Sequence, residues 1–347
     1  MRFPVVRVSL PWGVFWYTHR VRKAPTKPPG NRITRFMRKQ AEELFPDVTE
    51  QEAFLEALVE GGSKEQAIVV LDDKPEIGAF PKQRPFPWQP DFVVRILGDF
   101  RPTKHALYAK GAYYSMDFSS AFAASVMLGA ELPRRVLDLC SSPGGKAIFS
   151  WRAFRPELLV CNETIRKRCK TLIDNLKRCH AATSCVSSAD PSVWAKKASE
   201  AFDLVIVDAP CSGQSLLAKG EEAEGCFHPN MIDMCVGRQR RIVGNAVRCL
   251  APGGYLLYMT CTFAKKENEK LVEWALRHGD VEVEPVAIPG LAGFQSRYSD
   301  AACYRIFPQS GIGAGAFAAL LRRPGERPEV LPDLADLPIF WRYGEER

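Results

Sequence analysis

Apolar residues recur at helical spacing between Thr34 and Glu60, and Pro46 interrupts them. The recurring apolar positions are Phe36, Leu44, Phe45, Phe54, Leu55 and Leu58. Residues three or four apart share one face of an α-helix, and a proline ends or kinks a helix at the preceding residue. The pattern therefore predicts two helices that are separated near Pro46.

Between residues 61 and 110 the apolar residues form short runs, at 67–71 and 92–97, with prolines and glycines between the runs. Runs of this length, bounded by proline and glycine, are typical of short strands and loops. We therefore predict that residues 34–110 form a small α+β accessory domain.

From residue 111 the pattern changes to a helix over about Asp117 to Leu128, and then to apolar strands that alternate with helices. The strands are predicted at 135–140, 157–162, about 183–188, 203–213 and 254–262. Such alternation is typical of a parallel, doubly wound sheet. We expect an α/β, Rossmann-like domain over residues 111–325 and a C-terminal tail over residues 326–347.

The chain of 347 residues has a net charge of +7 and no run of 18 apolar residues, so we expect a soluble protein. The first 41 residues hold ten Lys or Arg and no acidic residue. Three interpretations of the basic arm at 1–33 stay open: a solvated tail, a phosphate-binding extension or a mitochondrial targeting segment. We expect a cytoplasmic protein, with the mitochondrion as the alternative.

Eleven cysteines are scattered along the chain without a single C-x-x-C pair. This distribution argues against a disulfide framework and against a zinc site. We expect no metal and a reducing compartment, so cysteine chemistry has to come from a few placed thiols.

The strand predicted at 135–140 runs directly into the turn SSPGGKA at 141–147 and then into a helix. Gly144 and Gly145 allow the backbone to approach a ligand, and a helix N-terminus offers free amides. The segment predicts a nucleotide-type pocket, and the alternative is a turn that only caps the helix. Its spacing departs from G-x-G-x-x-G, which disfavours a nicotinamide cofactor.

Acidic residues follow the next two predicted strands. Glu163 comes 25 residues after Asp138, where an acidic residue binds the ribose hydroxyls in such folds. Asp190 follows the third strand, where it would meet the adenine. For each acid the alternative is a solvated loop residue, but their order at successive strand ends favours binding.

Chemically reactive residues lie at the ends of the fourth and fifth predicted strands: the fourth is apolar up to Asp208 and then turns through Cys211, and the fifth ends in Cys261. The carboxyl ends of the strands border the ligand crevice in open α/β sheets. We therefore expect one carboxylate and two thiols to meet there. The alternative is that both cysteines are buried structural residues.

Together these segments resemble the Nop/Sun family of RNA cytosine-5 methyltransferases over roughly residues 105–323. The paired Pro-Cys and Thr-Cys elements are the most specific part of the resemblance. The matching segments are VLDLCSSPGGK (136–146), Asn162 and Glu163 with Arg168, Asp190, DAPCSG (208–213), TCT (260–262), ENE (267–269), RIFPQ (305–309) and GAFAALLRR (315–323).

The resemblance implies a class I methyltransferase with S-adenosylmethionine as cofactor and RNA as substrate. It implies that Cys261 is the nucleophile, which adds to carbon 6 of cytosine and so activates carbon 5. Asp208, oriented by Lys146, would support the ring, and Cys211 would assist release. The implied cofactor-binding residues are Cys140, Ser141, Ser142, Pro143, Gly144, Gly145, Lys146, Glu163, Arg168, Asp190 and Asp208.

The chain departs from the family pattern at SSPGG, at Met116 and in the 220–236 segment, which lacks a tryptophan. The C-terminal RNA-binding domain of some relatives is not expected either, because only some 25 residues follow the fold. RNA recognition is therefore expected from the N-terminal region, with Arg38 and Lys39.

Ribosomal RNA is the favoured substrate, with transfer RNA as the alternative, and we expect a monomer with no membrane partner. A non-catalytic RNA-binding protein on the same fold is a different class, which the retained cysteines and Asp208 argue against. A DNA cytosine methyltransferase would give the Thr-Cys element no role. A thiol-dependent nicotinamide oxidoreductase is disfavoured by the 141–147 turn.

Overall fold

The computed structural model of the protein describes residues 33–61, 65–71, 77–78, 80–98, 100–330, 332–334 and 336–345. The basic arm expected at 1–33 lies outside these residues except for Ile33. Within the described part, no helix is long and apolar enough to cross a membrane.

The predicted helix pair is present as α1 (Arg35–Leu44) and α2 (Val48–Glu60), on either side of Pro46. The Thr34 side chain caps α1, and the Asp47 carboxylate accepts two backbone N–H bonds at the start of α2. These caps satisfy amides that a helix N-terminus leaves without a backbone partner.

A small antiparallel sheet follows, with the strand order β2-β1-β3. Its strands are β1 (Gln66–Val70), β2 (Val93–Ile96) and β3 (Tyr113–Asp117), and the short helix α3 (Ala106–Ala109) precedes β3. β3 lies beyond the expected boundary at residue 110. It belongs to this sheet because buried β1 has backbone groups to satisfy along both of its edges.

The large sheet has the strand order β10-β11-β8-β7-β4-β5-β6-β12, with β9 paired to β11. The five strands from β8 to β6 are parallel, and the outer strands are antiparallel. Its strands are β4 (Arg135–Asp138), β5 (Leu158–Asn162), β6 (Ser184–Ser187), β7 (Phe202–Asp208), β8 (Leu250–Thr260), β9 (Glu284–Pro285), β10 (Tyr304–Ile306), β11 (Ala316–Arg322) and β12 (Ile339–Arg342).

Helices cover both faces of the large sheet. Val136 of β4 packs in the cluster formed with α4, α5 and α6, whereas the next residue, Leu137, packs with α7, α9 and α10 on the opposite face. This alternation confirms the predicted doubly wound fold. The helices are α4 (Phe118–Ser125), α5 (Gly145–Phe154), α6 (Cys169–Arg178), α7 (Pro191–Lys197), α8 (Ser215–Ala218), α9 (Pro229–Cys249) and α10 (Glu269–His278).

Residues expected to form a C-terminal tail contribute β12, which pairs antiparallel with β6. Phe340 and Trp341 are half-buried and pack against the core on the α5 face. A strand here covers backbone groups of β6 that would otherwise lie at an open sheet edge. The expected boundaries at 110 and 325 therefore do not coincide with the boundaries of the two sheets.

The order of the parallel strands places a crevice between β4 and β7. From β4 the chain continues to β5 and β6 on one side, and β7 and β8 lie on the other side. In open α/β sheets, ligands bind at the carboxyl ends of the strands where the strand order reverses in this way.

Candidate active site

Two of the candidate site residues and one further carboxylate stand at the carboxyl ends of adjacent strands. Asp138 ends β4, Asp208 ends β7, and Cys261 directly follows β8. Asp208 is in register with Met259 of β8, two residues before Cys261. The strand ends therefore carry these side chains to one place beside the crevice.

The two cysteines predicted to meet are in contact, with 3.2 Å between the Cys211 and Cys261 sulfurs. A hydrogen bond from the Cys211 thiol lowers the pKa of Cys261, against the effect of burial and with the help of Lys219 and Lys146. The same contact raises the pKa of Cys211 well above its usual value. The pair thus favours a thiolate on Cys261, the form in which cysteine is nucleophilic.

A fully buried carboxylate, Glu267, joins the two loops that carry the cysteines. It accepts hydrogen bonds from the backbone N–H of Ser212, at 2.9 Å, and from the hydroxyl of Thr262, at 3.5 Å. Ser212 follows Cys211 and Thr262 follows Cys261, so one side chain holds the neighbours of both thiols. Burial raises the pKa of Glu267.

Gln239 of α9 strengthens this arrangement. Its side-chain amide donates to the Glu267 carboxylate at 2.8 Å and to the carbonyl of Pro210 at 3.2 Å. Pro210 directly precedes Cys211, so the loop is held on both sides of the thiol.

Lys146 and Asp208 form an ion pair, with 2.8 Å between the lysine nitrogen and the carboxylate oxygen. Burial alone would lower the pKa of Lys146, but the charge and hydrogen bond of Asp208 outweigh it and the pKa is raised. Lys146 therefore stays cationic, and its contact orients a carboxylate whose side chain is still 36% exposed towards the crevice.

Asp138 is completely buried at the end of β4. One carboxylate oxygen accepts from the backbone N–H of Cys140 at 3.2 Å, and the Ser141 side chain lies beside the carboxylate. Burial, together with the nearby charge of Asp208, raises the pKa of Asp138 to about 7.

The predicted cofactor loop joins β4 to α5. Gly144 adopts a left-handed conformation, with φ of 111°, and α5 begins without any side-chain cap. The first amides of α5 are thus free for a ligand. The Ser141 side chain is buried beside the Asp138 carboxylate. An uncapped helix N-terminus fits a nucleotide-type ligand.

The other residues of this loop hold its shape. Cys140 is half-buried, and burial raises its pKa well above the usual value. The Ser142 hydroxyl donates to the carbonyl of Arg168 at 3.2 Å, and the Pro143 carbonyl accepts from Asn175 at 2.9 Å. Gly145 packs so closely on β3 that an added Cβ would lie 3.1 Å from the Tyr114 ring.

Glu163 stands directly after β5, as predicted, and its side chain is nearly buried. It accepts from the backbone N–H of Ile165 at 2.8 Å and pairs with Arg168 at 3.1 Å. Burial raises its pKa against both contacts. Arg168 also donates to the carbonyl of Ser142 at 2.9 Å, so it connects Glu163 to the cofactor loop.

Asp190 follows β6 and caps α7 by accepting from the backbone N–H of Ser192 at 3.0 Å. Its second oxygen pairs with Arg241 of α9 at 2.7 Å. Burial opposes ionisation of Asp190, but the Arg241 hydrogen bond lowers the pKa below its usual value. Asp190 thus lies three residues beyond the carboxyl end of β6, and its carboxylate is partly committed to the cap of α7.

Sequence reasoning did not assign roles to the buried polar residues that support the site, which are Asp138, Gln214, Gln239 and Glu267. Their burial depends on how distant segments pack together, so the spacing of apolar residues carries no signal for it. The one available signal for Glu267 was its place in the ENE segment. In the part of the chain that the structure describes, no group of three His, Cys, Asp or Glu could hold a metal ion.

The fold of the chain is that of known methyltransferase structures. NSun6 from Pyrococcus horikoshii with SFG matches with a TM-score of 0.71 at 16% identity, over 84% of this chain and 99% of that chain. A methyltransferase homolog protein from the same organism matches with a TM-score of 0.64 at 20% identity, over 84% and 99%.

The sequence defines the family more narrowly. Residues 126–322, more than half of the chain, match the family model described as 16S rRNA methyltransferase RsmB/F. The chain belongs to this family, which confirms the resemblance stated from its motifs.

Individual relatives agree with the family. Ribosomal RNA small subunit methyltransferase F of Serratia proteamaculans is 31% identical over 245 residues, which are 69% of this chain and 51% of that protein. The protein of the same name from Cronobacter sakazakii is 30% identical over 249 residues, with the same shares of 69% and 51%. The chain thus spans about half the length of these relatives.

Proposed function

We propose that the protein transfers a methyl group from S-adenosylmethionine to carbon 5 of a cytosine in RNA, with Cys261 as the nucleophile. The observation that carries the proposal is the contact between Cys211 and Cys261 beside the Lys146–Asp208 ion pair. A thiol of lowered pKa, a second thiol and a lysine-oriented carboxylate are the groups that this chemistry needs.

The cofactor would lie across the carboxyl ends of β4, β5 and β6. We assign its methionine part to the free amides at the start of α5, its ribose to Glu163 and its adenine to the neighbourhood of Asp190. The remaining assigned residues shape the loop: Cys140, Ser141, Ser142, Pro143, Gly144, Gly145, Lys146 and Arg168. When bound, S-adenosylmethionine supplies an electrophilic methyl group.

Carbon 5 of cytosine is a weak nucleophile until the ring is activated. The Cys261 thiolate would form a bond to carbon 6, and the ring electrons displaced by this addition would make carbon 5 nucleophilic. The hydrogen bond from Cys211 favours that thiolate before the attack.

Asp208 would contact the pyrimidine near nitrogen 3 and stabilise the protonation there that accompanies attack. Lys146 holds the carboxylate in one orientation through the 2.8 Å ion pair. A charge-assisted contact of this kind fixes direction as well as charge.

Release requires the carbon 5 proton to leave, after which the electron pair of that bond expels Cys261 as a thiolate. Cys211 lies within 3.2 Å of Cys261, which supports a role in accepting this proton, directly or through a water molecule. A non-catalytic RNA-binding protein would have no use for two thiols in contact at the crevice.

The relatives that match carry the name ribosomal RNA small subunit methyltransferase, which supports small-subunit ribosomal RNA as the substrate. Transfer RNA is the second candidate. Recognition would use the accessory domain, where Arg38 and Lys39 are exposed on α1. Bisulfite sequencing of both RNA classes, from cells with and without the protein, identifies the substrate by the cytosine that loses its protection.

Alanine variants of the two cysteines test the chemistry, because the two thiols act at different steps. Cys261→Ala should be inactive and form no covalent adduct with RNA, since the ring is never activated. Cys211→Ala should methylate at most once and accumulate a protein–RNA adduct, since release is impaired. The adduct is detected as a shifted band on a denaturing gel, with labelled small-subunit RNA and S-adenosylmethionine.

Cys249→Ala is the matched control, because Cys249 is a buried cysteine of α9 outside the crevice. It should lose only about 1 kcal/mol of stability, the typical effect of a point mutation, and keep full turnover. Wild-type turnover in both crevice variants would refute the proposed chemistry. An adduct from Cys261→Ala and none from Cys211→Ala would reverse the roles of the two cysteines.

A further inference from the structure

A reciprocal pair of buried amides connects the accessory domain to the α/β domain. The Gln40 side chain donates to the Gln214 carbonyl oxygen at 2.7 Å, and the Gln214 side chain donates back at 3.0 Å. Gln40 is 7% exposed and Gln214 is completely buried. The two residues are 174 positions apart in the chain.

Gln214 also contacts the segment that carries the second thiol. Its carbonyl oxygen accepts from the backbone N–H of Phe263 at 2.9 Å, and its amide donates to the carbonyl of Cys226 at 3.1 Å. Phe263 stands two residues after Cys261, and Gln214 stands three residues after Cys211. One side chain therefore spans from the first thiol loop to the second.

Gln40 links α1 to the two loops that carry the thiols. It lies on the buried face of α1, with Met37, Ala41 and Leu44. The neighbouring residues Arg38 and Lys39 point outward and are exposed. The exposed face of α1, with Arg38 and Lys39, and the buried face, with Gln40, thus belong to one helix of ten residues.

We propose that Gln40 and Gln214 are positioning residues that keep Cys211 and Cys261 in contact, so that docking of α1 sets the reactivity of the thiol pair. The inference rests on the proposed function for its catalytic meaning. The inference means that the N-terminal helix pair helps to hold the two thiols of the active site in place.

The alternative is that the two buried amides only satisfy each other's hydrogen-bonding groups and have no effect on the thiols. Buried polar groups need partners, and a reciprocal amide pair supplies them whatever lies nearby. The two interpretations differ in one respect. A pair that only satisfies itself changes stability when broken, whereas a positioning pair also changes the chemistry of the thiols.

Gln40→Met removes both hydrogen bonds to Gln214 and keeps the length of the side chain. We expect the contact between the two sulfurs to loosen and the pKa of Cys261 to rise towards that of an ordinary cysteine. Alkylation of Cys261 by iodoacetamide, mapped by peptide mass spectrometry across a pH series, should then shift to higher pH. A shift of one unit means roughly tenfold slower alkylation at neutral pH.

The same variant should lower kcat for RNA methylation by a similar factor and leave KM for RNA unchanged, because α1 keeps its exposed cations. Gln214→Met also loses the bonds to Phe263 and Cys226, so it should lower kcat at least as much, and the double variant should be no worse than Gln214→Met alone. Such non-additivity is the signature of two residues that act as one unit.

Gln51→Met is the matched control. Gln51 belongs to the same helix pair, and its side-chain amide donates to the carbonyl of Phe45 at 2.9 Å, within the helix pair itself. It should lower the melting temperature of the full-length protein and leave the alkylation profile and kcat at wild-type values.

A Gln40→Met protein that melts earlier but alkylates and turns over like the wild type would overturn the proposal. If Gln40→Met does not fold, Gln40→Asn keeps an uncharged amide on a side chain one carbon shorter, and it should show a smaller shift in the same direction. Because alkylation needs neither RNA nor cofactor, it tests the positioning role separately. Failure of the proposed function would instead appear as a wild-type protein that methylates no RNA.

Discussion

At the scale of single residues, the raised pKa of Asp138 predicts how the stability of the protein depends on pH. Its pKa is raised from 3.8 to about 7 by burial and by the neighbouring Asp208. The folded state therefore holds this proton more tightly than the unfolded state does. The resulting stabilisation is fully present below about pH 4 and is lost as the pH rises through about 7.

Asp138→Asn removes this titration while keeping the acceptor oxygen for the Cys140 amide. We expect the variant to be more stable than the wild type at pH 8, by up to roughly 4 kcal/mol, and the difference to shrink as the pH falls to about 4. Urea unfolding of the cofactor-free protein at a series of pH values measures the effect. A difference in stability that does not change between pH 4 and 8 would rule out this role of Asp138.

Individual reactive residues could be predicted from the sequence because they follow recognisable strands. Asp208, Cys211 and Cys261 come at the ends of apolar runs, and a parallel sheet brings such ends together. The raised pKa of Asp138 could not be predicted, because it depends on complete burial and on a charge 70 residues further along the chain.

At the scale of elements, the loops after β7 and β8 are held by one carboxylate. Glu267 contacts the residue after each thiol and is itself held by Gln239 of α9. Loops that carry reactive groups need such support, because a small displacement changes the geometry of attack.

Glu267→Gln should destabilise the protein by about 1 to 3 kcal/mol, because the neutral amide loses the charge-assisted hydrogen bonds that the carboxylate accepts from Ser212 and Gln239. Equilibrium unfolding in urea gives the number. Glu273→Gln is the control, since Glu273 lies on α10 and pairs with Lys270 and Arg277, two cations that are mostly exposed to solvent. Its cost should stay below about 1 kcal/mol, and equal costs for both variants would contradict the role of Glu267.

The helices and the parallel strands could be predicted because each has a local signature. Apolar spacing located α1 and α2, and apolar runs located β4, β5, β6, β7 and β8. The places of β3 and β12 could not be predicted. Their pairing depends on which strand edges remain open after the rest of the chain has folded, and no local pattern encodes this.

At the scale of the whole molecule, the distribution of charge along the chain predicts which segment contributes to RNA binding. Residues 1–32 hold seven Lys or Arg and no acidic residue, and they lie before α1. A chain that lacks residues 1–32 keeps Gln40 and the whole of α1. Deletion of residues 1–32 therefore separates the contribution of the basic arm to RNA binding from that of the helix pair.

Deletion of residues 1–32 should weaken RNA binding and leave cofactor binding unchanged. The slope of log affinity against log salt should flatten, because fewer counterions are released when fewer cations meet phosphate. Filter binding at several salt concentrations measures the slope. If full-length and shortened proteins give the same slope, the arm is a tail or a targeting segment.

The strands that carry the thiols have a consequence for how the protein fails on heating. Residues 204–207 of β7 and residues 256–257 of β8 are completely inaccessible to solvent, and they form the centre of the large sheet. Segments of this kind open only when the entire domain opens, whereas peripheral loops open locally. The reactive pair is therefore anchored to the last part of the molecule to melt. While α1 stays docked, heat inactivation should follow the cooperative collapse of the sheet and should not precede it.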